Sequence, residues 1–232
     1  MATSFSQAQL IANELLRSAL SPYGPDVCGT VAAAPHAWDD DAMRLVPLTD
    51  GQRLRVAHDE REAPYVVNGA GEEESALLLS LTDEDIMALC VWARMKPGSP
   101  VAGIGVDLAS LEDFDGTRGA RFNHLIFPEH EQRAAERLCP ERPALGYAYL
   151  FSAKEAAFKA CAAPLRTWYR AHSEELLFSV LNFELGSDDR HEVGTARHAE
   201  AQAAMNAMGI RAIELHRTQI DDMALTIGLA LT

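Results

Sequence analysis

Apolar side chains recur at helical spacing through Leu10, Ile11, Leu15, Leu16 and Leu20, which predicts a helix over 6–20. Ser21-Pro22-Tyr23-Gly24-Pro25 stops it. The pattern then shortens to a strand at 27–33, a polar loop holding Asp39, Asp40 and Asp41, and a second short helix over 48–58. Pro64 and the segment from Gly69 to Glu74 mark loops, and Ala76 to Leu81 and Ile86 to Ala93 read as strands joined by the turn Thr82-Asp83-Glu84-Asp85. Lys96-Pro97-Gly98-Ser99-Pro100 reads as a linker before a buried strand, Val101 to Asp107, that ends on a carboxylate. A charged, glycine-containing loop (112–121), a helix (129–138), a long helix (about 144 to 162), a strand (176–185), a helix (195–208) and a final hairpin (211–217 with 222–231) follow.

The long helix has one fault. At about 100° per residue, Leu150, Phe151, Ala157, Phe158 and Cys161 fall on one side and Ser152, Glu155 and Lys159 on a polar strip opposite, yet Lys154 projects from the apolar side. An ammonium group there must reach an anion or escape along its stem to water. Locally, Ser152-x-x-Glu155 fits a capping box and Glu155 with Lys159 a favourable i,i+4 pair. Composition sharpens the picture, because the chain has 17 arginines and only three lysines, Lys96, Lys154 and Lys159. Two compact ammonium groups within six residues, in a chain that otherwise uses arginine, suit contact with phosphate.

An internal similarity organises the whole. Residues 76–91 match 212–227 without a gap, with Ala76/Ala212, Leu79/Leu215, Thr82/Thr218, Asp85/Asp221, Met87/Met223, Ala88/Ala224 and Leu89/Leu225 identical. A weaker match sets Leu45, Gln52 and Arg53 against Leu125, Gln132 and Arg133. The expectation is an α+β fold of two pseudo-equivalent lobes, 1–96 and 101–232, each a small mainly antiparallel sheet packed with helices. The site lies in the cleft between them.

Charge and cysteine content exclude several functions. A formal charge of −14 argues against nucleic acid as partner. No run of 18 apolar residues and no basic region followed by an apolar run occurs, so neither a membrane span nor a secretory signal is expected, and a cytoplasmic location follows. Cys28, Cys90, Cys139 and Cys161 form no Cys-x-x-Cys pair and read as reduced, packed thiols.

Gly103-Ile104-Gly105-Val106-Asp107 fails as a dinucleotide fingerprint because Leu108 stands where the third glycine belongs. What remains is a carboxylate after two glycines that allow close backbone approach, and a second carboxylate, Glu155, flanked by lysines. Hard oxygen ligands of this kind suit Mg²⁺. With Gly103–Asp107 and Phe151-Ser152-Ala153-Lys154-Glu155-Ala156-Ala157-Phe158-Lys159 in this order and spacing, the chain resembles the 4'-phosphopantetheinyl transferases, and Phe127-Pro128-Glu129 adds to the likeness. Its length and apparent duplication resemble the two-lobed, monomeric class.

The resemblance implies transfer of the phosphopantetheine arm of coenzyme A to a serine of an apo acyl, peptidyl or polyketide carrier protein, releasing adenosine 3',5'-bisphosphate. It implies Asp107 and Glu155 as Mg²⁺ ligands, Lys154 and Lys159 as phosphate contacts, and Glu155, or a metal-bound water beside it, as the base for the carrier's serine. Where many members have a further acidic residue, this chain has Ala109 and Ser110, so a third ligand is water or Glu112. The family's Ser-His pair appears as Ser80-Leu81, and Arg53, Arg55 and Arg61 are candidates for the nucleotide's phosphates. Arg118, Arg121, Arg133 and Arg137 flank the segment between the motifs as candidate contacts for an acidic carrier.

Overall fold

A computed structural model describes residues 5–33, 54–84, 87–172, 183–185, 192–196 and 199–232. Helix α1 (Phe5–Leu20) precedes strand β1 (Val27–Ala33), the short strands β2 (Arg55–His58) and β3 (Pro64–Val67), and a hairpin of β4 (Leu77–Glu84) and β5 (Met87–Arg94). Strand β6 (Val101–Ser110) leads into helices α2 (Gly116–Ile126), α3 (Glu129–Leu138), α4 (Pro143–Ala160) and α5 (Ala162–Ala171). Strands β7 (Phe183–Leu185) and β8 (Glu192–Ala196), helix α6 (Ala199–Ala207), and the hairpin of β9 (Ala212–Ile220) and β10 (Met223–Leu231) complete the described chain.

The fold is α+β with antiparallel sheets ordered β1-β5-β4, β6-β10-β9-β8-β7 and β2-β3. The two hairpins that match in sequence also match in register: Glu84 opposes Met87 as Ile220 opposes Met223. Each takes a preceding strand on the same side, β1 beside β5 and β6 beside β10. These units share a core. Ala8, Ala12 and Leu16 of α1 pack in one cluster with Leu89 and Val91 of β5, Ile104 and Val106 of β6, and Leu225 and Ile227 of β10. Each fully buried leucine there contributes about 2 kcal/mol.

Strands β4 and β6 are both sheet edges, and side chains join them. Ser80 Oγ, Thr82 Oγ1 and Glu84 Oε1, alternate residues on one side of β4, accept from the backbone N–H groups of Val106, Leu108 and Ser110 at 3.0, 3.2 and 3.2 Å. Alternation along a strand is what puts three acceptors in one row.

Helix α4 starts on Pro143, whose missing N–H is no loss in a first turn. Its small residues Ala156 and Ala160 seat it directly on the sheet. A Cβ at Gly103 would stand 1.9 Å from the Ala160 carbonyl oxygen, and one at Gly105 2.0 Å from that of Ala156. The two glycines therefore admit this helix's own backbone.

Several expectations change. Arg55–His58 is a strand paired with Pro64–Val67 rather than part of a helix. Strand β4 runs on through Thr82 to Glu84, so the expected turn shrinks, and β6 continues three residues past Asp107. The stretch 112–121 holds a short 3-10 turn and most of α2, which Asp115 caps through a bond from Gly116 N–H. Helix α6 starts at Ala199 because Glu192–Ala196 pairs as a strand. Ser152 caps nothing, since α4 begins nine residues earlier, and it is fully buried. The Asp39–Asp41 loop, residues 48–53 of the expected second helix, Asp85, and 176–182 of the expected strand lie outside the described residues.

Candidate active site

Asp107 sits inside β6, with Thr226 of β10 beside it, on the sheet face that carries α4. It is 5% exposed. Its Oδ1 receives Lys159 Nζ at 2.6 Å and Thr82 Oγ1 at 3.1 Å, while its Oδ2 is buried with no hydrogen-bond partner among the described residues. Burial pushes its carboxyl up to about 7, and the nearby negative charge of Glu155 acts the same way, against the lowering effects of Lys159 and Thr82. Glu155 and Lys159 lie one helical turn apart on α4, both half-buried. The next turn back is fixed from below, where the buried hydroxyls of Ser152 and Thr226 meet at 2.6 Å.

A buried carboxylate oxygen without a partner is costly. A divalent cation at Asp107 Oδ2 would remove that cost, with Glu155 as the second carboxylate that would hold it, and two carboxylates with the remaining positions left to water and phosphate are the usual provision for Mg²⁺. The donor set thus fits Mg²⁺. Among the described residues no group of three or more His, Cys, Asp and Glu side chains forms, so Glu112, exposed on the turn after β6, is not part of such a set.

The other expected residues are placed differently. Lys154 has found its anion inside the protein: its Nζ lies 2.8 Å from Glu131 Oε1 and donates to the Phe183 carbonyl at 2.7 Å, with 1% of the side chain exposed. Paired and buried in this way, the ammonium ties α4 to α3 and β7 in this structure and is turned away from the expected contact with phosphate. Ser80 is likewise spent on the Val106 N–H; the hydroxyl that reaches the site is Thr82, two residues on. Thr82 escaped sequence reasoning because it sat in an expected turn. Arg61 stacks on Tyr169 of α5, 3.5 Å from the ring centroid, and Arg55 is exposed on β2. Arg53 and the Arg118 side chain lie outside the described residues. Arg121 and Arg137 are exposed, and Arg133 pairs with Glu129 on its own helix.

A separate cavity of about 370 Å³ opens where Leu77 and Leu79 of β4, Ile104 of β6, and Pro164 and Trp168 of α5 converge. Ile104 lies three residues before Asp107, about 10 Å along the strand. Arg166 and Arg170 of α5 hold Glu73 at its rim, the first of them at 2.9 Å.

A model of the 4'-phosphopantetheinyl transferase superfamily matches residues 103–212, which include Asp107, Glu155 and Lys159. A holo-[acyl-carrier-protein] synthase of Jannaschia sp. (strain CCS1) is 38% identical over 125 residues, 53% of this chain and 77% of that protein. The chain belongs to the 4'-phosphopantetheinyl transferase superfamily. A second holo-[acyl-carrier-protein] synthase, of Dinoroseobacter shibae, is 34% identical over 125 residues and 84% of its own length. Among solved structures, the synthase of Neisseria meningitidis aligns with a TM-score of 0.43 at 22% identity, over 57% of this chain and 99% of that one. That of Helicobacter pylori in complex with coenzyme A aligns with 0.40 at 16%, over 55% and 98%. The superfamily match to this transferase begins at Gly103, so β1 to β5 and Thr82 fall outside it. No helix among the described residues is long and apolar enough to cross a membrane.

Proposed function

We propose that this transferase moves 4'-phosphopantetheine from coenzyme A to a serine hydroxyl of an apo carrier protein, with Mg²⁺ held by Asp107 and Glu155. The observation that carries the reading is the Asp107 carboxylate, with one oxygen saturated by Lys159 and Thr82 and the other buried with no hydrogen-bond partner among the described residues. When bound, the ion would neutralise charge on the pyrophosphate of coenzyme A.

The chain's own residues do the rest. Glu155 accepts the proton of the carrier's serine, whose oxygen bonds to the phosphorus bearing the pantetheine arm. The bond from that phosphorus to the bridging oxygen breaks, and the electron pair leaves with adenosine 3',5'-bisphosphate. Lys159, half-buried beside Asp107, supplies positive charge where the leaving phosphate gathers negative charge. The apolar cavity along β6 has a size and character that suit the uncharged arm. Holo-[acyl-carrier-protein] synthase relatives support an acyl carrier protein as acceptor.

Incubation with coenzyme A, Mg²⁺ and a set of apo acyl, peptidyl and polyketide carriers tests this by intact mass. The expected result is one phosphopantetheine added per carrier, abolished by chelator and by Glu155→Ala. A set of carriers that all keep their mass refutes the reading.

A further inference from the structure

Thr82 comes from the part of the chain that precedes the superfamily match, yet it touches Asp107. The residue is 5% exposed, so no bulk water competes for its hydroxyl. Two bonds define the direction of that hydroxyl. The Leu108 N–H donates to Oγ1 at 3.2 Å, and the hydroxyl's single proton is directed at Asp107 Oδ1, 3.1 Å away. Lys159 donates to the same oxygen at 2.6 Å.

Both donors therefore converge on Oδ1 from opposite parts of the fold, Lys159 from α4 and Thr82 from the β4–β5 hairpin. A carboxylate gripped at one oxygen from two directions cannot rotate to exchange its oxygens, and Oδ2 is left as the free one. We infer that Thr82 is a positioning residue, which acts through Asp107 by fixing its carboxylate so that Oδ2 presents to the cation. The inference rests on the two-carboxylate Mg²⁺ site proposed above. It extends the site's supporting groups into the amino-terminal hairpin, where Ser80 and Glu84 accept from Val106 and Ser110 along the same seam without touching Asp107.

Metal binding without substrate tests this. Mn²⁺ as a probe for Mg²⁺ is titrated by electron paramagnetic resonance into the full chain and into Thr82→Val, Thr82→Ser, Ser80→Ala and Asp107→Asn variants, without coenzyme A or carrier. Thr82→Val keeps the shape and removes the donor, and affinity is expected to fall about tenfold, the lower end of the effect of removing a partner that orients a ligand. Thr82→Ser keeps the donor and should bind within about twofold of the unaltered chain. Ser80→Ala loses an equivalent bond between the strands without touching Asp107, and should also stay within about twofold if the effect belongs to Thr82 itself. Thermal melts confirm that each variant is folded, and Thr82→Ala replaces the valine variant if that one is not.

Mn²⁺ binding that depends on Asp107 but is unchanged by Thr82→Val, or weakened equally by Ser80→Ala, overturns the role of Thr82 and leaves the metal site standing. Mn²⁺ binding no tighter in the unaltered chain than in Asp107→Asn overturns both.

Discussion

The two matching sheet units differ most where they look most alike. In the carboxy-terminal unit Gly105 opposes Gly228 and Asp107 opposes Thr226; in the amino-terminal unit the same register positions hold Gly29 opposite Trp92 and Val31 opposite Cys90. The first pair of glycines lets the backbone of α4 lie against the sheet, bringing Glu155 and Lys159 to Asp107. In the other unit the Trp92 ring lies over Gly29 and packs with Val66, Leu77, Leu79 and Cys90 beneath the β2–β3 hairpin. One frame thus serves twice. It becomes a site only where glycine replaces an aromatic ring, so that a helix bearing charge can settle on the strands.

Gly105→Ala should break the contrast most forcefully. Its methyl group would stand 2.0 Å from the Ala156 oxygen and 2.5 Å from the Ala160 nitrogen, backbone atoms that cannot swing aside. We expect a loss above about 4 kcal/mol in denaturant unfolding and no transfer activity.

Lys154→Met comes next, because it strands Glu131, itself 1% exposed, and should cost about 3 kcal/mol. The double variant Lys154→Met, Glu131→Leu should recover most of that stability and keep transfer activity, since the two groups pair with each other inside the protein. A double variant that is stable but inactive would return Lys154 to the phosphates.

Asp107→Asn sharpens the comparison through pH. With its carboxyl raised to about 7 from 3.8, the metal-free fold holds a proton that the unfolded chain releases near pH 4. The stability this provides is complete below about pH 4 and lost as pH rises through about 7. In chelator, the melting temperature of the unaltered chain should therefore fall from pH 5 to pH 8 relative to Asp107→Asn. Mg²⁺ affinity should move the other way, rising up to about pH 7 as the site gives up its proton. Parallel melting curves for the two proteins would refute the buried, proton-holding carboxyl.

Gly29→Ala is the smallest expected effect. The nearest atoms belong to the Trp92 side chain at 3.0 to 3.4 Å, which can shift by a few tenths of an ångström, so stability should change by about 1 kcal/mol or less. A loss as large as that of Gly105→Ala would mean that the two glycines answer the same need.

The sequence was readable where a signal is local. Strand 27–33 and helix 129–138 are found where their patterns place them, and Lys159 of the second motif donates to Asp107 of the first. It misled where a partner lies far along the chain. Arg55–His58 is a strand because Pro64–Val67 pairs with it, and four residues carry too little periodicity to say so. The glycines of 112–121 argued for a loop, yet Gly119 is in α2 because any side chain there would strike the Phe114 backbone, 2.2 Å away. Lys154 was visible as an anomaly, but its answer, Glu131, lies 23 residues earlier on another helix. Nothing in the local pattern told a protein carboxylate from a ligand phosphate.

The row of acceptors that Ser80, Thr82 and Glu84 lay along β6 has a bearing on assembly. An uncovered border strand invites hydrogen bonding by any extended polypeptide and is a common starting point for aggregation. Here the same molecule supplies the cover, two hydroxyls and a carboxylate that occupy the N–H groups without adding another strand. A version of this protein shortened to begin at Val101 would expose that border, and would have to recruit a neighbouring copy to shield it or else polymerise.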